Sequence, residues 1–171
     1  MNRLIIVLAG FILTFGLEAQ NQVQPTSSLI IDGKVRKGIT YSLSELESLP
    51  PVDIKEVVLY NHKGEVKDTL RGMKGIPLKT LLEPVTFDYQ QPKELNEFYL
   101  LFTASDGYKV VFSWNEVFNT ETGNQLFVVT EMKGQKLGSI NQRILFISAS
   151  DEKTGRRYIK GLERINVRRA E

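Results

Sequence analysis

The stretch LFTASDGYKVVFSW, residues 101–114, decides how the rest of the chain is read. Its Asp-Gly pair, Asp106-Gly107, stands between two apolar, aromatic-rich runs, and such a pair supplies the positive φ that a tight antiparallel turn needs. The pattern predicts a strand over residues 98–104, a turn at 105–107 and a return strand over 108–112. The hairpin's aromatic residues are assigned to core packing. Just beyond it, Ser113 and Glu116 have the spacing of a capping box, so WNEVF starts a short helix over the end of the hairpin.

The same signals recur on both sides. SLIIDGKVRKGITYS, from residue 28, reads as an opening hairpin turning at Asp32-Gly33. Ser42 and Glu45 form another capping box, with Leu43, Leu46 and Leu49 on one helical face, and Pro50-Pro51 stop that helix. Residues 52–60 are β-branched and apolar and read as one strand, returning after a turn at 61–64 through Leu70. In GIPLKTLLE, Pro77 suits a first helical turn, and Leu78, Leu81 and Leu82 lie on one side. Residues 84–96 have no period. Strands are expected over 125–130, 143–148 and 157–167, with turns at Lys133-Gly134 and 151–155. Short strands with small inserted helices, and no βαβ alternation, predict a β-rich mixed α+β fold.

With hydrophobic residues at 42% and charged residues at 25%, the chain has material for one core, so one domain is expected over residues 29–171. Ahead of it, Arg3, an apolar run over residues 4–17 and the small Ala19 have the layout of a signal peptide over residues 1–19, followed by a flexible leader over 20–28. The apolar run is 14 residues, short of the ~20 that a spanning helix requires. The mature protein is therefore expected to be periplasmic or secreted, with no integral membrane segment after cleavage. A formal charge of +2 gives no reason to expect nucleic acid as a partner.

The chain has no cysteine and a single histidine, His62. This excludes disulfides, a lipid-modified cysteine anchor and thiolate metal ligands. There is no G-x-S-x-G, and His62 falls in a Lys-Gly turn, where it reads as a loop residue. Asp106 and Asp151 are turn residues, while Glu45 and Glu116 belong to capping boxes. No catalytic residue and no metal ligand is assigned. A basic run, Arg156, Arg157, Lys160, Arg164, Arg168 and Arg169, closes the chain. On one strand over 157–167, Ile159, Ile165 and Val167 would share a face, and Lys160 and Arg164 the other. That second face is either solvated or a cationic rim for a phosphate or carboxylate.

Taken in order, LIIDGKVRKGITYSLSELESLP, KGIPLKTLLE, ASDGYKVVFSWNEVF, VVTEMKGQKL, QRILFIS and RRYIKGLERINV resemble the molybdopterin-binding domain of the sulfite oxidase family of oxidoreductases. The resemblance runs over nearly all of residues 29–167. It implies a mixed α+β fold that, in working members, holds a molybdenum–pterin cofactor and acts on a small oxyanion or sulfoxide. Carried over by motif, Arg143 and Lys160 are the cofactor-binding candidates, Lys160 matching the lysine that approaches the pterin phosphate. In working members a cysteine ligates molybdenum, and counting back from Gly75 puts that region at residues 60–64, YNHKG. Cysteine ligation of molybdenum is therefore impossible here.

The resulting expectation is an exported sulfite-oxidase-like domain without molybdenum redox catalysis, binding a small anionic ligand or an exported protein partner. Two alternatives stand beside it: a molybdopterin-dependent oxidoreductase with another ligand to the metal, and a pure protein-interaction module.

Overall fold

Two runs of four consecutive apolar residues, LFVV at 126–129 and ILFI at 144–147, organise the molecule. Such runs are what a strand needs when both faces of its sheet are covered. By contrast, FYLLFTA at 98–104 alternates between buried and half-buried, as a strand packed on one face does. The computed structural model describes residues 22–61 and 63–170; the expected signal peptide and His62 lie outside them.

In chain order the elements are β1 (Ser28–Gly33), β2 (Ile39–Ser42), α1 (Leu43–Ser48), β3 (Val52–Ile54), β4 (Val57–Tyr60), β5 (Val66–Leu70), β6 (Met73–Pro77), α2 (Leu78–Leu82), β7 (Phe98–Ala104), β8 (Lys109–Ser113), α3 (Trp114–Phe118), β9 (Leu126–Met132), β10 (Gln135–Lys136), β11 (Leu145–Ser148), β12 (Ile159–Lys160) and β13 (Leu162–Arg169). One sheet has the order β2-β1-β13-β7-β8, and a second the order β12-β11-β9-β6-β3 with β10 on β9; β4 and β5 form a separate ribbon. The β1–β13 pair is parallel and the other strand pairs are antiparallel. The fold is β-rich α+β. No helix among the described residues is long and apolar enough to cross a membrane.

The central sheet separates two cores. On one face Leu126, Val128 and Phe146 join Ile165, Val167, Phe102 and Phe112 of the five-stranded sheet, together with the leucines of α2. On the other face Phe127, Val129, Leu145 and Ile147 pack with Val57, Leu59 and Leu70 of the β4–β5 ribbon. Both capping boxes form: the Ser42 and Ser113 hydroxyls accept from the N–H groups of Glu45 and Glu116, whose carboxylates accept from the serine N–H groups in return.

Several expected boundaries are corrected. The opening hairpin turns through a wide loop, with Ile31 opposite Ile39, because residues 32–38 reach out to bridge Val35 with Phe87. Residues 52–60 are two strands, since β3 pairs with β6 while β4 pairs with β5. Residues 73–77 are a strand at the heart of the central sheet, and Pro77 is the N-cap of α2 rather than part of its first turn; a proline fits there because it closes the strand. The strand expected from Arg143 begins at Leu145, as Arg143 has φ 54 in the left-handed region.

The strand expected over 157–167 breaks at Gly161, where φ is +65 and the chain leaves the central sheet for the five-stranded one. A Cβ at Gly161 would stand 2.6 Å from the Ser105 hydroxyl and 2.8 Å from the Gln24 carbonyl oxygen. Glycine thus permits both the backbone turn and the close approach. Lys160 and Arg164 consequently belong to different sheets and share no face.

Candidate functional site

The second core has an open rim, and there a cleft of about 890 Å³ is found. Its inner lining includes the buried Leu59 and Leu70, with Met132 and Tyr158 packed on the same core. The β4–β5 ribbon contributes Tyr60, Asn61, Lys67 and Asp68. The ribbon is fastened by the turn at Thr154–Arg156: the buried Thr154 hydroxyl donates to the Val58 carbonyl, and Gly155 lies so close to the Tyr60 carbonyl that no Cβ would fit. That fastening brings Arg156 to the cleft beside Tyr60.

The β7–β8 hairpin contributes Asp106 and Tyr108. Asp106 Oδ1 accepts the Tyr108 N–H at 2.9 Å, and the Tyr108 hydroxyl donates to the Arg156 carbonyl at 2.5 Å. The turn chemistry is as expected, but the assignment of all the hairpin's aromatics to the core is corrected. Phe102 and Phe112 are buried, whereas Tyr108 is 44% exposed because it follows the turn and its hydroxyl finds a partner across the cleft wall. Val23 reaches the same cleft through Gln24, whose N–H donates to the Ser105 hydroxyl at 2.9 Å and whose carbonyl accepts from it at 2.7 Å.

Four cations line the cleft: Lys67 from the ribbon, Lys133 from the β9–β10 turn, Arg156 and Lys160. Two carboxylates accompany them, Asp68 and Asp106. None of the four cations is in a salt bridge among the described residues. Three other members of the C-terminal basic run behave differently. Arg157 is held by Asp151 and Glu116, Arg164 lies 3.5 Å from Asp32, and Arg169 is held by Glu94 and Glu97. Half of the run is thus tied into ion pairs, Arg168 donates to the Asn166 side chain, and Arg156 and Lys160 line the cleft.

Lys160, one of the two residues singled out by sequence, lines the cleft; its ammonium lies 5.7 Å from the centre of the Tyr158 ring. Arg143 does not line it. It is partly buried in the turn that follows Ile140, one residue from Gln142, which does line the cleft. Lys67, Lys133 and the three tyrosines were not singled out by the sequence, since each is a plain turn or strand residue there, and Arg156 was marked only as a member of the basic run. The pointer was the density of Lys and Tyr beside the turns at 61–64, 105–107 and 133–134.

Tyr158 has the most displaced ionisation of the cleft. Burial pushes its hydroxyl up to about 12, and the nearby Asp68 charge adds to the effect. Alkaline titration followed by tyrosinate absorbance is therefore expected to show one tyrosine ionising near 12. Tyr158→Phe should remove that step, and Asp68→Asn should move it downward. A step unchanged in Tyr158→Phe would contradict the assignment.

The donor set does not fit the molybdenum centre that the sequence resemblance implies. The chain has no cysteine, and the described residues bring together no group of three or more His, Cys, Asp or Glu.

No family model matches the chain, and no curated protein matches it. Among solved structures, it is similar to the sulfane dehydrogenase SoxCD from Paracoccus pantotrophus, with a TM-score of 0.61 at 13% identity. The match covers 82% of this chain and 37% of that one, so the chain spans little more than a third of its neighbour's length. At this identity the likeness is one of fold.

Proposed function

We propose that this chain is an exported sulfite-oxidase-like domain that performs no molybdenum redox catalysis and binds a small anionic ligand in the cleft at the rim of the second core. The carrying observation is that Lys67, Lys133, Arg156 and Lys160, from separate segments, meet on one cleft, and none of them is in a salt bridge among the described residues. Convergent cations with low-dielectric walls raise the local concentration of an anion. The six ordered motifs and the fold likeness to a dehydrogenase support the family reading. Tyr60 and Asn61 belong to the region where the motif count places the family's metal ligand, and they line the same cleft as Lys160. In this reading Lys160 meets the anionic group directly, and Arg143, which does not line the cleft, contributes only positive potential. The apolar run before Ala19 supports export.

The test has two arms. Protein made in a molybdopterin-producing host is assayed for molybdenum and pterin, and the purified protein is titrated calorimetrically with small organic and inorganic anions. The expected result is no stoichiometric molybdenum, and anion binding that weakens with salt. Lys160→Ala and Lys133→Ala should each weaken binding about tenfold, the worth of one hydrogen bond to a charged group. Stoichiometric molybdenum would overturn the non-catalytic reading, and indifference to both substitutions would remove the site.

A further inference from the structure

At about 890 Å³ the cleft is far larger than an inorganic oxyanion needs; its size is that of pockets for organic ligands, roughly 300–1,000 Å³. Its chemistry is also wrong for a bare anion. Asp68 and Asp106 stand among the four cations, and their charge opposes any negative ligand. Local structure uses one oxygen of each: Asp68 Oδ1 accepts the Thr69 N–H, and Asp106 Oδ1 accepts the Tyr108 N–H. Their second oxygens make no hydrogen bond among the described residues and remain as strong acceptors.

Acceptors in a cation-lined cleft suit a ligand that carries donors of its own as well as negative charge. The amides of Gln135 and Gln142 add both donors and acceptors, and they come from different segments, whereas the Asn61 amide is taken up by its own turn, accepting from the Lys63 and Glu65 N–H groups and donating to the Glu65 carboxylate. Hydrogen-bonding groups distributed around the wall match a ligand with hydroxyls around its perimeter.

Tyr60, Tyr108 and Tyr158 supply ring surface. The hydroxyl contact to Arg156 holds the Tyr108 ring in place while leaving it 44% exposed. The electron-rich face of such a ring attracts the polarised C–H bonds on the face of a sugar.

Resting on the anion-binding reading above, and narrowing it, we infer that the occupant is an acidic saccharide, a short oligosaccharide bearing carboxylate or sulfate groups. Lys160, Lys133, Lys67 and Arg156 meet the acidic groups, Asp68, Asp106 and the amides take the hydroxyls, and the tyrosines stack on ring faces.

The experiment titrates the purified protein with five probes. They are a sulfated heparin disaccharide, an unsulfated chondroitin disaccharide carrying only its uronate, lactose, sodium sulfate and a nucleoside monophosphate. At least one acidic disaccharide is expected to bind tenfold or more tightly than lactose, sulfate and the nucleotide. The two acidic probes tell a sulfate requirement from a carboxylate one. Asp106→Asn and Asp68→Asn give the sharper result, because asparagine keeps the acceptor for the neighbouring N–H group while removing the charge. For a hydroxyl-bearing ligand both variants should weaken binding about threefold to tenfold, whereas for a bare anion they should strengthen it. Binding led by sulfate or the nucleotide, or tightened by the Asp→Asn changes, would overturn the saccharide while leaving the anion site standing. Failure of every anionic probe would overturn both.

Discussion

Replacing Arg157 with leucine is expected to cost about 3 kcal/mol and to lower the melting temperature by roughly 6–12 °C. The guanidinium binds Asp151 through two parallel hydrogen bonds, both 2.6 Å, and Glu116 through a third of 2.9 Å. Its carbon lies 4.2 Å from the centre of the Phe112 ring. The Asp151 side chain is only 11% exposed, so removing its partner leaves a carboxylate that water can barely reach. Adding Asp151→Asn to Arg157→Leu should therefore recover part of the loss, which a merely volumetric effect would not allow. A single variant melting close to the parent would contradict the argument.

Acid unfolding gives the same prediction a second readout. Burial alone would raise the Glu116 carboxyl, but the Ser113 N–H and hydroxyl and the Arg157 guanidinium more than offset it, leaving it below the ordinary value of 4.5. A carboxylate whose folded value is depressed stabilises the fold fully above its unfolded range and loses that contribution as pH falls through the folded value. Arg157→Leu removes two of the lowering influences, so the acid transition, followed by circular dichroism, should move to higher pH. Arg157 also sits between Arg156 and Tyr158, both lining the cleft, and loosening it should weaken anion binding without touching a ligand.

Local chemistry was legible in the sequence to the extent that it was local. Both capping boxes, the Asp-Gly turn and the strands at Phe98–Ala104 and Lys109–Ser113 depend on residues within a few positions of one another. What failed depended on remote partners. Nothing near Gly161 signals that the strand before it belongs to one sheet and the strand after it to another; that follows from Ser105 and Gln24 packing against it. Likewise the strand Met73–Pro77 is short and holds a glycine and a proline, and it is a strand because β9 and β3 flank it. The site was legible in part for the same reason. Motif order pointed to Lys160, while Lys67, Lys133 and Arg156 are ordinary turn and surface cations until the ribbon and the turn at Thr154–Arg156 bring them together. A charge pattern along the chain could not tell those from Arg157, Arg164 and Arg169, whose carboxylate partners lie from 6 to more than 100 residues away in sequence.

Phe146→Ala should cost about 4 kcal/mol, from the 3–5 typical of a fully buried phenylalanine, and it tests the layer order itself. The ring is 0% exposed, with centroids 4.6 Å from Phe102 and 5.6 Å from Phe112. Those three rings come from β11, β7 and β8, so they join the two sheets across the first core. Their removal leaves a cavity between layers that the strand backbones cannot close, whereas Phe146→Leu keeps most of the volume and should cost less than about 1.5 kcal/mol. The neighbours Leu145 and Ile147 point to the other core, under the ribbon that carries the cleft. Because alternate residues of a strand face opposite sides, the Phe146 cavity opens away from the cleft. Folded Phe146→Ala protein should therefore bind anions with the parental affinity despite its lower stability. Ile147→Ala, at the next position, should loosen the support of the ribbon and weaken binding as well as stability. Equal losses of affinity in both variants would mean that the central sheet does not separate the two cores in the way the burial pattern requires.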